Sequence, residues 1–100
     1  MNKTAQKKTL KEIKGFINGY FHDESLTKDM QFLTGEEGME FSDYAVKSSP
    51  YISFDGFLYE FVNYGEVDGW KFKNALDKFL DSKGLWYEQG ESWNMNILEK

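Results

Sequence analysis

The strongest periodicity lies near the start of the chain, where Leu10, Ile13, Phe16, Ile17, Tyr20 and Phe21 fall in one sector at about 100° per residue. That pattern predicts an amphipathic helix over residues 4–21 with this sector in the core. Lys3, Lys7, Lys11 and Lys14 border the sector as a stripe, most simply a solvated face. The polar run from Asp23 to Thr27 ends the helix. Met30/Phe32 and Met39/Phe41 then alternate on either side of "TGEEG", the mark of a short, weak hairpin. Residues 42–50, "SDYAVKSSP", read as a connection with room for one helical turn, which Pro50 discourages from continuing.

Residues 51–70, "YISFDGFLYEFVNYGEVDGW", hold seven aromatic side chains and no Lys or Arg. With Asp55-Gly56 as a two-residue turn, the stretch predicts a second, stronger hairpin. Its core face would be Ile52, Phe54, Phe57, Tyr59 and Phe61. Ser53, Leu58, Glu60, Val62 and Tyr64 would lie opposite, on a face neither plainly core nor plainly solvent. Next comes the best helix of the chain. Phe72, Ala75, Leu76, Phe79 and Leu80 follow helical spacing, Asp68 is the expected N-cap, Lys83 sits near the carboxyl end and Gly84 suits the position just beyond it. The remainder predicts a hairpin turning at Gly90-Glu91. It places Trp86, Trp93, Met95 and Ile97 on one face, and Tyr87, Gln89, Ser92, Asn94 and Asn96 on the other.

These elements assemble most simply as one α+β domain spanning residues 1–100. The expected form is a two-layer sandwich, an antiparallel sheet of four to six strands with two helices packed on one face and the other face open. A chain of 100 residues supports one modest core, and 40% apolar content with a single Pro argues for a folded state. No stretch has the uninterrupted apolar length of a signal peptide's core or a membrane span. The absence of Cys removes disulfides and thiolate zinc sites and favours the cytoplasm.

Charge is unevenly placed. Residues 1–20 sum to +4, residues 21–70 to −9, and the rest balance, within a net charge of −5. All twelve basic residues are Lys, so the guanidinium fork that clamps phosphate or guanine is missing. Direct nucleic-acid binding is not expected, because aromatic surfaces that stack bases interleave cations and residues 48–70 contain none.

Candidate chemistry is sparse. Cys nucleophiles are absent, His22 is the only imidazole and suits a helix end, and no serine lies in a nucleophile-elbow motif. Glu36, Glu37, Glu40 and Asp43 cluster without calcium-loop spacing, and no cofactor motif occurs. No enzymatic activity is therefore expected.

Two functions of different classes fit this profile. The first is a small protein-binding module, an inhibitor or nucleic-acid-mimicking decoy that meets a basic protein partner through Glu36, Glu37, Glu40, Asp43, Leu58, Glu60, Val62, Tyr64 and Glu66. A bacterial defence nuclease countered by a mobile genetic element is the expected setting, on a Lys-only, Asn-tolerant composition without an enzyme signature. The second is a small enzyme or ligand-binding domain with a pocket between sheet and helices, lined by Trp86, Trp93 and Tyr59.

Overall fold

The computed structural model describes residues 1–54, 56–64 and 66–100, with the side chains of Phe57, Tyr64 and Glu66 outside that description. Helix α1 spans Lys3–Phe21 and is followed by a 3-10 turn at Glu24–Thr27, strand β1 (Gln31–Leu33) and the short helix α2 (Gly35–Gly38). Strand β2 (Tyr51–Ser53), helix α3 (Gly56–Tyr64), helix α4 (Glu66–Asp81) and the hairpin of β3 (Leu85–Gln89) and β4 (Asn94–Glu99) complete the chain. The four strands form one antiparallel sheet in the order β1-β2-β4-β3. The architecture is α+β.

Helix α1 forms where the periodicity predicts it. Asn2 caps its start by accepting from the Ala5 N–H at 2.8 Å, and His22 ends it in the left-handed region at φ 54°. Leu10, Ile13 and Ile17 are buried and Phe16 and Phe21 partly so. The α4 stripe behaves likewise, with Phe72, Leu76 and Leu80 each at most 1% exposed. Its start is one correction: the helix begins at Glu66, so Asp68 sits inside the first turn rather than capping it. Gly84 takes φ 71° beyond the helix end, where glycine costs least.

The register of the four strands puts Phe32, Ile52, Met95, Ile97 and Tyr87 on one face, and α1, α3 and α4 pack on it in a single hydrophobic core. A seam of rings closes the helix layer. Phe16 stacks on Phe79 at 4.6 Å, and Phe21 meets Phe61 and Phe72, each at 5.2 Å, contacts worth about 0.5–1.5 kcal/mol apiece beyond burial.

Both expected hairpins of the middle of the chain are replaced. Residues 51–53 are a strand, but 56–64 are helical, and Leu58 and Val62 are core residues at 3% exposure rather than an ambiguous second face. Asp55, named for the hairpin's turn, lies outside the described residues, as does the side chain of Phe57, named for its core face. Both flanks of β2 are already occupied, by β1 and β4, so 57–61 has no edge to pair with. An aromatic-rich run satisfies a period of 3.6 as readily as a period of 2, and packing on α4 selects the helix. Gly69 permits that packing, since a Cβ there would fall 2.2 Å from the Phe61 carbonyl oxygen.

The earlier hairpin fails for a local reason. Thr34 and Glu37 form a capping box: Glu37 Oε1 accepts from the Thr34 N–H at 2.9 Å and the Thr34 hydroxyl accepts from the Glu37 N–H. "TGEEG" therefore starts a helical turn. Strand β1 pairs with β2, Phe32 opposite Ile52, while Met39 and Phe41 remain outside the sheet.

The β3–β4 hairpin exists with a longer connection than expected. Tyr87 pairs with Ile97 and Gln89 with Met95, three residues away from a tight turn at Gly90-Glu91. An odd offset exchanges faces, so Trp86 lies opposite to Met95 and Ile97, and Tyr87 joins the core side.

The helical assignment of 56–64 predicts that Leu58→Ala lowers stability by about 2–5 kcal/mol in urea melts, while Glu60→Gln on the exposed side changes it by under about 0.5 kcal/mol.

Candidate functional site

The second face of the sheet is covered, not open. Residues 34–50 run across it as a strap whose only regular element is α2; successive turns pair part of its backbone internally, and side chains from α1 and the sheet fix the rest. Gln6, 1% exposed on α1, holds both ends. Its Oε1 accepts from the Gly35 N–H at 2.8 Å, and its Nε2 donates to the Lys47 carbonyl at 3.1 Å and the Met1 carbonyl at 2.9 Å. The strap's middle is held from the sheet. Asn94 donates to the Ser42 hydroxyl and the Tyr51 phenol oxygen, both at 3.2 Å, and accepts from the Glu91 N–H at 2.7 Å. Asn96 donates to the Tyr44 carbonyl.

Tyr51 is wholly buried in this seam. Loss of solvent raises its pKa, against the lowering effect of its hydrogen bonds with Asn94 and Ser42. Two glycines let backbone and sheet meet: a Cβ at Gly35 would fall 1.8 Å from the Val46 carbonyl oxygen, and one at Gly38 2.6 Å from the Tyr51 ring.

What the strap presents outward is both apolar and acidic. Met39, Phe41, Tyr44 and Val46 are 53%, 54%, 53% and 47% exposed, and Glu36, Glu37, Glu40 and Asp43 are exposed among them. Lys3 pairs with Glu36 at 2.8 Å, which lowers the Glu36 pKa. Hydrogen bonds from the Thr34 N–H and hydroxyl hold the Glu37 carboxyl below its ordinary range. Glu40 and Asp43 make no ion pair among the described residues.

The residues singled out from sequence thus separate. Glu36, Glu37, Glu40 and Asp43 share the strap. Glu60 is exposed on α3, whereas Leu58 and Val62 are buried beneath it and present no surface. The side chains of Tyr64 and Glu66 lie outside the described residues. Trp86, Trp93 and Tyr59 do not line one cavity: Trp86 is on the strap side of the sheet, Tyr59 packs against the core, and Trp93 lies in the β3–β4 connection. Sequence reasoning missed the outward role of Met39, Phe41, Tyr44 and Val46. The Thr34-x-x-Glu37 pattern was the available signal, since a helical turn there takes Met39 and Phe41 out of any hairpin.

Chemical machinery is sparse at the other features. The Ser25 hydroxyl donates to Asp23 at 2.6 Å, not to His22, whose side chain is exposed. Among the described residues no three His, Cys, Asp or Glu side chains are placed to hold a metal ion. No helix among them is long and apolar enough to cross a membrane. A depression of about 340 Å³ follows the α1–strap seam, lined by Lys3, Gln6, Glu36, Val46 and Lys47 among others. The chain matches no family model, no curated protein and no solved structure.

Two predictions follow from the strap's attachment. Gln6→Ala strands three backbone groups and should cost about 2–3 kcal/mol, with amide exchange over residues 38–46 accelerating more than in α4. Glu37, with its folded pKa lowered, contributes stability that is present above its unfolded pKa and lost as pH falls through the folded value. The urea-midpoint gap between wild type and Glu37→Gln, measured at about pH 6, should therefore narrow below about pH 4.

Proposed function

We propose that this chain is a small acidic protein-binding module that docks on a partner with a basic surface through the 36–46 strap. One observation carries the reading: four large apolar side chains stand about half exposed among four carboxylates, on a segment fixed by buried hydrogen bonds at both ends and in its middle. Isolated exposed apolar residues are ordinary, but four within eight positions form a patch, and such patches rimmed by charge mark interaction sites. Anchoring the strap beforehand reduces the ordering cost of binding. The carboxylates supply steering toward a cationic surface, and the rings supply the contact that holds.

An inhibitor or decoy that occupies a cationic nucleic-acid groove is the form this module takes, and a bacterial defence nuclease in the cytoplasm, countered by a mobile element, is the setting that suits it. The net charge of −5 and the absence of Arg support a partner that is itself a nucleic-acid binder over direct contact with nucleic acid.

The test is kinetic, on a partner captured from bacterial lysate at low salt and immobilised. Glu40→Lys with Asp43→Lys should slow association at least about tenfold and flatten its salt dependence, leaving the fold intact because neither side chain is ion-paired among the described residues. Phe41→Ala with Tyr44→Ala should instead speed dissociation. Association unchanged by the charge reversal would reduce the acidic block to a solvated face.

A further inference from the structure

The strap does not end the outward surface; it abuts strand β3. Trp86 and Glu88 alternate onto the strap side of the sheet, and the first atoms of the Tyr44 side chain lie where a Cβ on Gly90 would be, at 2.7 Å from the Tyr44 Cγ. Positions 86, 88 and 90 are spaced by about 7 Å along the chain. A carboxylate is thereby flanked by two exposed rings, Trp86 at 41% and Tyr44 at 53%. Glu88 makes no ion pair among the described residues. Of the two lysines that line a depression with Trp86 on its α4 side, Lys100 is taken by Asp81 and Lys78 makes no ion pair among the described residues. Directly across from Glu88 is Asn96, 5% exposed, whose amide donates to the Tyr44 carbonyl and whose Oδ1 has no donor among the described residues.

We infer that the strap-side surface carrying Trp86, Glu88 and Tyr44, called the notch below, receives an arginine side chain of the basic partner. This rests on the partner-binding reading above and names the group that is bound. A guanidinium is planar, stacks on an indole face and pairs two-pronged with a carboxylate, whereas an ammonium is a strongly hydrated point charge that does only the last of these, and less directionally. The protein itself has no Arg with which to fill the notch.

The experiment uses the intact chain and a defined probe, a short acetylated and amidated Gly-Arg repeat peptide, titrated at about 20 mM salt and followed by proton–nitrogen spectra. The Trp86 indole N–H, the Glu88 amide and the Asn96 side-chain amide should shift together and saturably. A Gly-Lys peptide should act more weakly, and a Gly-citrulline peptide, isosteric but neutral, should not act. Glu88→Gln and Trp86→Ala should each weaken the Arg-peptide response about threefold or more, with spectra otherwise dispersed as in wild type, while Glu40→Gln leaves the notch shifts in place. Equal Lys and Arg responses confined to residues 36–43, with Trp86 unmoved, overturn the notch and leave the strap reading standing. Absence of any shift also overturns it, whereas the strap reading is decided by the association kinetics.

Discussion

A single buried amide sets the conditions for everything on the second face of the sheet. Gln6 projects from the first turns of α1 and satisfies backbone groups at Gly35 and Lys47, so a segment of thirteen residues begins and ends against the same side chain. Exposed backbone can be satisfied by water, but backbone laid over a sheet cannot, and an unpaired buried group costs about 1–3 kcal/mol. Much of the remaining demand is met inside the strap by turn hydrogen bonds, such as Phe41 N–H to the Gly38 carbonyl and Ala45 N–H to the Ser42 carbonyl, while from β4 Asn96 donates to the Tyr44 carbonyl and Asn94 to the Ser42 hydroxyl. Asn94 and Asn96, which share the strap side of β4 with Leu98, suit the role: amides both donate and accept, and their burial carries no ionic desolvation cost.

The two faces of the sheet consequently do different work. The helix side is a conventional apolar core, with Ile13, Ile52, Phe54, Phe72, Leu76, Leu80 and Ile97 each at most 1% exposed. The strap side is a hydrogen-bonded seam that holds an irregular segment in one conformation. With the strap held in this way, Ser42 and Ala45 turn inward, Ser42 onto Asn94, while Met39, Phe41, Tyr44 and Val46 are left outward. Rings held this way lose little freedom on contact with a partner, which is the physical basis for reading the strap as an interface.

Charge is distributed with the same logic. The basic stripe of α1 lies beside the acidic strap, joined at Lys3–Glu36, and α1 is tied to the far end of α4 by Glu12–Lys83 at 2.6 Å. These pairs neutralise the seams between elements. Glu40, Asp43 and Glu88, on the strap side of the sheet, make no ion pair among the described residues.

Helices α1 and α4, the final hairpin and the α+β class were determined by the sequence alone, because each rests on a long periodic run with local start or stop signals. The acidic character of residues 36–43 was equally plain. What only the tertiary structure decided was where short apolar runs go. The run after Phe54 suits strand or helix, and β1 and β4, distant in sequence, settled it by filling both sides of β2. The register of β3 on β4 depended on a connection held by Asn94, and a shift of three residues exchanged the neighbours of Trp86. The surface around Glu88 brings together β3, β4 and Tyr44 of the strap, so no local stretch contained it. Non-local hydrogen bonds, not propensity, chose which aromatic side chains became core and which became surface.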